Sequence, residues 1–449
     1  MEARYGKYPE YKNSGIEWVD RIPSHWDICS LRWLTNLYTG GTPDKSNLAY
    51  WTDGTIPWLA SGEVNQKYIS NPTTFITEEA YKNSSAKWVK KDSLLMAIAG
   101  QGKTKGTIGH LGFDATCNQS MAAIKPLTIK PRYLFYWLES NYRNIRGLAG
   151  DGLRDGLNLE MLGSIKSPIP ESSEQTQIAT FLDRETAVID TLIAKQEELI
   201  RLLQEKRTAV ISHAVTKGLN PHAPLKDSGI EWLGQTPSHW TTSWLKYHVN
   251  TINGFGFKSS DVCDEGVPFI RAGNIKKKTI TSTDLFLPQD VVDQHKRVIL
   301  SAGDLVISMV GSHPRIIESA VGQIGIVPPS LDGAVPNQNV VILREKKSKK
   351  LNKRFLFYTL WSTPYRNHLN LYSHQLANQS IISSSLIANA NFLLPPIEEQ
   401  KEIVDFLDGR LEKLEKLISK SKNSIKLMKE RRTALISAAI TGKIDVRHA

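Results

Sequence analysis

The sequence predicts an α+β protein: two pseudo-symmetric α+β globules separated by two long antiparallel helices that form a coiled coil. Three observations lead there. The stretch from Glu174 to Lys217 contains no proline and returns near the C-terminus at one constant offset, with Gln175 falling on Gln400, Phe181-Leu182-Asp183 on Phe406-Leu407-Asp408, and Thr208-Ala209 on Thr433-Ala434. The segment Lys12 to Trp26, KNSGIEWVDRIPSHW, reappears as Lys226 to Trp240, KDSGIEWLGQTPSHW. Between each such segment and the helix that follows lie roughly 140 to 155 residues rich in β-branched and aromatic side chains and broken by Gly and Pro. Two copies of both signatures make a tandem duplication.

In chain order, residues 1–170 form the N-terminal segment and first globule, 171–220 the first long helix, 221–395 the second globule and 396–449 the second long helix. The globules have diverged, yet Ile56-Pro57-Trp58-Leu59 still matches Val267-Pro268-Phe269-Ile270, and Asn118-Gln119 matches Asn337-Gln338. Ile108 to Gly112 matches Val321 to Gly325 in the same way, and these three read as strands with turns. Arg132 to Tyr136 and Arg354 to Tyr358 read as a matched pair of helices, the second stopped at Ser362-Thr363-Pro364.

In the first long segment Ile178, Leu182, Ile189, Leu192, Ile193, Leu199, Ile200, Leu203 and Val210 recur at steps of three, four and seven, drawing one apolar stripe along a helix. Ile403, Leu407, Leu414, Leu417, Ile418, Ile425, Met428 and Leu435 repeat it. A helix of about 43 residues is about 65 Å long and would leave its stripe in water if it stood alone. The other copy is the partner of matching length, with Gln196 and Ser421 as polar register positions. Equivalent halves fit around such a pair only if the helices run antiparallel, with a globule near each end. Gly218 to Pro224 supplies the helix stop before the second half.

A chain of 449 residues with 40% hydrophobic residues can bury more than one core. Its net charge of +11 favours a polyanionic partner over an acidic-substrate pocket. Cys29, Cys117 and Cys263 stand far apart without metal-ligand spacing, which argues against a disulfide framework and a zinc site and fits a reducing cytosol. With no apolar N-terminal signal and no membrane-length apolar run, the protein is expected to be soluble and cytoplasmic.

Candidate binding residues lie on Gly-rich and basic loops. Ala97 to Thr104 approaches a phosphate-cradling G-x-x-x-x-G-K-[ST] motif, but Ala97 replaces the first Gly, no helix can begin at Lys105-Gly106, and the matching loop at Val310 lacks the motif. Both loops nevertheless present hydrogen-bonding or cationic groups: Gln101, Lys103, Thr104 and Lys105 in one, Ser312, His313 and Arg315 in the other. These suit base edges and phosphates, or simply a solvated surface. The turn Gly40-Gly41-Thr42, aligned with Gly254-Phe255-Gly256 ahead of Lys258, either lets backbone amides approach a phosphate or only shapes a turn. Ser61, Asn65 and Lys67 stand in the first half where Arg271, Asn274, Lys276, Lys277 and Lys278 stand in the second, and Arg154 sits in a glycine-rich loop. Equal scaffolds carrying different polar tips are what two readers of different sequences need.

The search for catalytic groups is negative. No D/N-P-P-Y/F motif for amino-methyl transfer is present; Glu399-Gln400-Lys401 lacks the strand acid of a nuclease, and Glu398 and Glu399 read as first-turn caps. His25 and His239, each inside P-S-H-W, have no paired acid nearby in sequence and read as packing residues beside Trp26 and Trp240.

The opening from Tyr8 to Trp26 echoed at Lys226 to Trp240, the Thr39-Gly40-Gly41-Thr42-Pro43 turn, and the two P-x-x-E-Q to E-K-R-x-A helices together resemble the specificity (S) subunit of type I restriction-modification enzymes over nearly the whole chain. That resemblance implies two target recognition domains reading the halves of a bipartite, asymmetric site in double-stranded DNA, with the helices as a ruler for the unread gap. It implies two methyltransferase (M) subunits that bring S-adenosylmethionine, and two restriction/translocase (R) subunits that use ATP and Mg2+. The S subunit itself contributes no chemistry and no cofactor. Helix surface left outside the coiled coil, namely Leu202, Ile211, Leu427 and Ile436, would dock helices of the M subunits or else complete core packing at the rod ends. Rival readings are a self-contained methyltransferase or nuclease, and a coiled-coil scaffold with incidental charge.

Overall fold

The computed structural model describes residues 5–100, 104–150, 156–276, 278–312, 321–346, 350–376 and 379–448. It divides into two compact units, one of Met1–Glu197 with Asn423–Ala449 and one of Glu198–Lys422. Both long helices form, as Ser172–Lys217 and Ile397–Ile440, and each gives one half to each unit.

In the first unit the helix pair is sealed by Ile178, Phe181, Leu182, Ile189 and Ile193 against Leu435, Ile436, Ala439 and Ile440. Each such side chain stabilises the packed state by about 1.5–3 kcal/mol when fully buried. Arg432 meets Asp190 at 3.0 Å and Lys429 meets Glu197 at 3.9 Å. One number rises as the other falls, so the segments run antiparallel. In the second unit Leu203, Ile211, Ala214 and Val215 share a core with Ile403, Leu407, Leu411, Leu414 and Ile418. The buried stripe is narrower than the sequence suggests: Leu192, Leu199 and Leu417 remain 41–49% exposed. One helix neighbour covers only part of the circumference, and a residue adjacent to a buried one is turned about 100° away from it.

The first unit's five-stranded sheet runs Thr35–Thr39, Met121–Pro126, Leu94–Ala97, Ile108–Leu111, Tyr68–Ile69, antiparallel except for its last pair. A four-stranded sheet of Thr74–Ile76, Ile56–Leu59, Ala115–Cys117 and Trp88–Val89 completes it. The second unit builds the same scheme as a six-stranded sheet: Val249–Asn253, Val340–Glu345, Leu305–Ser308, Ile324–Ile326, Thr279–Ile280, Ile275–Lys276. Beside it lies a three-stranded sheet of Phe286–Leu287, Val267–Ile270 and Val335–Pro336.

The same side chains tie globule to helix in each unit. Gln175 is buried, donates to the Pro170 carbonyl at 2.8 Å and accepts from the Lys130 amide at 2.8 Å. Gln400 does likewise with the Pro395 carbonyl and the Asn352 amide. The expected helix pair forms as Pro131–Ser140 and Lys353–Trp361. Arg132 and the Tyr136 hydroxyl converge on Asp183, and Arg354 and the Tyr358 hydroxyl on Asp408. At the helix ends Gly218 and Gly442 both take positive φ, the first against Pro237 and Trp240, the second against Pro23 and Trp26. A Cβ on Gly442 would lie 2.3 Å from Pro23 Cδ, so glycine is required there by space as well as by conformation.

Candidate nucleic-acid interface

The candidate loops divide into residues that are exposed, residues that are used inside the chain, and residues outside the described ones. Gln101, Lys103, Arg154, Lys277, His313 and Arg315 fall in the last group. On either side of the loop that carries Gln101 and Lys103, Leu94–Ala97 and Ile108–Leu111 are strands, with no helix between them among the described residues.

Gly40 and Gly41 are buried, and packing explains them. A Cβ on Gly40 would fall 1.9 Å from the Cys117 carbonyl oxygen, and one on Gly41 2.3 Å from Ser85 Oγ. The Gly41 amide donates to the Cys117 carbonyl at 2.8 Å, and the Gly41 carbonyl accepts from the Trp58 indole at 2.9 Å. The turn's polar groups therefore serve the domain core, and of the tip only Thr42, hydrogen-bonded to Gln119, is partly exposed. Gly254 repeats the constraint, since its Cβ would lie 2.1 Å from the Asn337 carbonyl oxygen. Burial pushes the neighbouring Cys117 thiol up to about 12, which leaves it protonated at neutral pH.

Lys105 is also withdrawn from the surface: the residue is 6% exposed and its Nζ lies 3.5 Å from the Gly150 carbonyl. Thr104 and Ser312 are partly buried beside it and at the equivalent loop. Ser61 and Asn65 lie on the short 3-10 helix Ser61–Gln66, where Asn65 is exposed and bonds the Gly62 carbonyl. Arg271, Asn274 and Lys276 follow the strand Val267–Ile270. Asn274 caps the Arg271 amide at 2.9 Å, leaving the Arg271 side chain exposed with Lys276. Lys258 is exposed at a turn whose amide bonds Asp261.

Lys67 and Lys278 serve a purpose the sequence did not reveal. Both hold positive φ, 60° and 72°, immediately before matched strands. In the first unit Lys67 reaches Glu139 at 2.7 Å; Arg432 of the second long helix meets the same carboxylate at 3.4 Å and also Asp190. In the second unit Lys278 lies 4.1 Å over the Trp361 ring and 3.3 Å from Glu415, which Arg207 of the first long helix meets at 2.8 Å. Burial, with Arg207 beside it, pushes the Lys278 ammonium below its ordinary value, while Glu415 opposes that shift. These two lysines fasten each globule to its helix segments, and the offset that relates the two helices also carries Asp190 onto Glu415 and Arg207 onto Arg432.

His25 and His239 do have acid partners, brought from far along the chain. His25 Nε2 lies 3.0 Å from Glu174 and His239 Nε2 2.7 Å from Glu399, the latter also accepting from the Trp240 indole at 2.9 Å. Glu174 accepts from the Tyr8 hydroxyl at 2.7 Å. Glu399 is thus a joint between the helix start and the preceding segment rather than only a first-turn charge. Of the proposed docking residues, Ile211 and Ile436 are 2% and 3% exposed within their cores and are not available to a partner. Leu202 and Leu427 remain 47% and 55% exposed, joined by Leu192 and Leu417, a pair related by the same offset. Among the described residues no group of His, Cys, Asp or Glu is placed to hold a metal ion, and no helix is long and apolar enough to cross a membrane.

Comparison with known proteins sets these units in a family. The family model described as "Type I restriction modification DNA specificity domain" matches residues 23–201 and again 237–427. The type I restriction enzyme MjaVIII specificity subunit of Methanocaldococcus jannaschii is 26% identical over 432 residues, covering 95% of each chain. A chain from a structure of the type I R-M system superposes with a TM-score of 0.66 at 18% identity, over 94% of this chain and 99% of the other. The HsdS subunit from Thermoanaerobacter tengcongensis gives 0.53 at 16% identity, over 94% and 98%. At such identities these last two likenesses speak to the fold.

Proposed function

The chain belongs to the type I restriction modification DNA specificity family, and from that premise we propose that it is the DNA-reading subunit of a type I restriction-modification complex. Each target recognition domain reads one half of a bipartite, asymmetric site, and the helix pair sets the unread gap. The observation that carries this reading is the duplication with divergent tips. One scaffold occurs twice with its helix joints intact, while the polar residues at the matched loops differ: the partly buried Ser61 and exposed Asn65 in one unit, the exposed Arg271 and Lys276 and partly buried Asn274 in the other. Two half-sites of different sequence need that combination of constancy and variation.

The chain performs no chemistry of its own in this reading. Methyl transfer from S-adenosylmethionine belongs to two M subunits, and ATP- and Mg2+-dependent translocation and cleavage to two R subunits. The apolar positions Leu192, Leu202, Leu417 and Leu427, exposed on the long helices, are suited to receive amphipathic helices of the M subunits. Methylation-sensitive sequencing of a host genome with and without this gene tests the reading. One split, adenine-methylated motif disappears when the gene is removed; an unchanged methylation pattern, or methyl transfer by the purified chain alone, overturns it.

A further inference from the structure

The second unit carries a groove that, of the candidate loops, only the Gly254-Phe255-Gly256 turn reaches, through Phe255. It follows the strand Val249–Asn253, the edge of the six-stranded sheet, where no further strand pairs among the described residues. Two hollows share Thr251, Ile252 and Arg297 and so lie side by side along the strand. Lys246 and Lys346 flank one end, Lys296 and Arg297 line the middle, and at the far end His295 stacks on Phe255 with ring centroids 3.8 Å apart. Among the described residues no carboxylate lines the groove; Glu345, on the neighbouring strand, lies outside the lining, and the Asp304 carboxylate is taken by Arg344 at 3.1 Å. Lys346 is held in place by donating to the Lys246 carbonyl, and Lys246 rests 4.3 Å over the Trp244 ring. Burial and then the charges of Lys350 and Lys346 push the adjacent His248 below its ordinary value, which fits a positive local potential.

The charge differs in part between the units: Arg32, exposed, stands in the first unit where Lys246 stands here, but the cation after the next strand is found only in this one. After the strand Val340–Glu345 comes Lys346, whereas after the corresponding strand Met121–Pro126 comes Leu127, 62% exposed. We propose that this groove is a track for the phosphate backbone of duplex DNA, holding the second recognition domain on its half-site without reading bases. Five strand residues at about 3.4 Å each span about 17 Å, the rise of about five base pairs along the duplex axis. The exposed Asn250 and the half-buried Thr251 add hydrogen bonds of the kind phosphates accept. This inference rests on the DNA-binding function proposed above.

The test measures duplex binding by the full chain assembled with its M subunits across a series of salt concentrations, using the methylated motif and an unrelated duplex. Lys296→Ala/Arg297→Ala removes two exposed cations without touching the core, and Lys246→Ala/Lys346→Ala removes the other pair. Each double variant weakens binding to both duplexes alike and flattens the slope of log K against log salt by about 1.8, at about 0.9 per lost phosphate contact. A charge-matched control in the first unit, Lys87→Ala/Lys125→Ala, leaves the slope near that of the wild type. Groove variants that keep the wild-type slope, match the control, or weaken one sequence alone overturn the track while leaving the DNA-reading function standing. A wild-type complex with no preference for the motif defeats that function, and the track with it.

Discussion

Arg432 shows what a single side chain contributes to each unit's joint. Its side chain is 14% exposed and meets both oxygens of Asp190, at 3.0 and 3.2 Å, together with Glu139. Arg432→Ala leaves Glu139 with Lys67 alone and the half-exposed Asp190 without this partner, and is expected to cost about 1.5–3 kcal/mol in denaturant unfolding. Arg432→Lys recovers part of this, because an ammonium cannot present the two-pronged donor of a guanidinium. Arg201, paired with Glu198 at 2.6 Å on the solvent face, is the contrast: Arg201→Ala is expected to leave the unfolding midpoint essentially unchanged. Three histidines add a pH dependence. Burial lowers His110, with Arg132 assisting, and it likewise lowers His248 and His368. Their folded values lie below the ordinary value near 6.5, so the unfolded chain binds more protons as pH falls through that value. Their contribution to stability is full above about pH 7 and is lost on acidification below about 6.5. Thermal unfolding between about pH 5 and 8 checks the sign, and a melting temperature that rises on acidification refutes it. Little of this was legible in the sequence. Lys67 meets Glu139 and Lys278 meets Glu415, partners far apart along the chain that spacing alone does not bring together.

At the scale of elements, the long helices carry a buried apolar face and exposed apolar positions beside it. Leu407 is fully buried in the second unit's core and Leu427 is 55% exposed. Leu407→Ala is expected to cost about 2–5 kcal/mol, and Leu427→Ala about 0.5 kcal/mol or less, by chemical unfolding. The charged change Leu202→Asp/Leu427→Asp leaves folding nearly intact and weakens capture of the M subunits in a pull-down or mass-photometry titration. Undiminished assembly would remove these positions from the docking surface. The helices were readable because a repeat of three and four needs only local spacing and the absence of Pro. Which side of the stripe is covered was not. Leu192 and Ile193 are adjacent in sequence, yet one is exposed and the other buried. Of the two roles open to Ile211 and Ile436, docking or core packing, their burial fits the second. Periodicity fixes an apolar arc but not the neighbour that fills it.

At the scale of the molecule, the duplication is written into residues and contacts alike. Glu174 and Glu399, Gln175 and Gln400, Asp183 and Asp408 repeat at one constant offset and repeat their partners as well. Joints of that kind resist change because each polar atom is buried or half-buried and loses its partner if either side alters. The polar residues at the tips differ between the halves, so the repeat that makes the scaffold legible says nothing of target bases. The central claim is that each half reads DNA independently on a shared frame. Exchanging residues 25–170 for those of another family member, followed by methylation-sensitive sequencing of the host, tests it most directly. The expected result is a methylated motif in which one half-site changes and the other is retained. A motif altered in both halves would contradict independent reading.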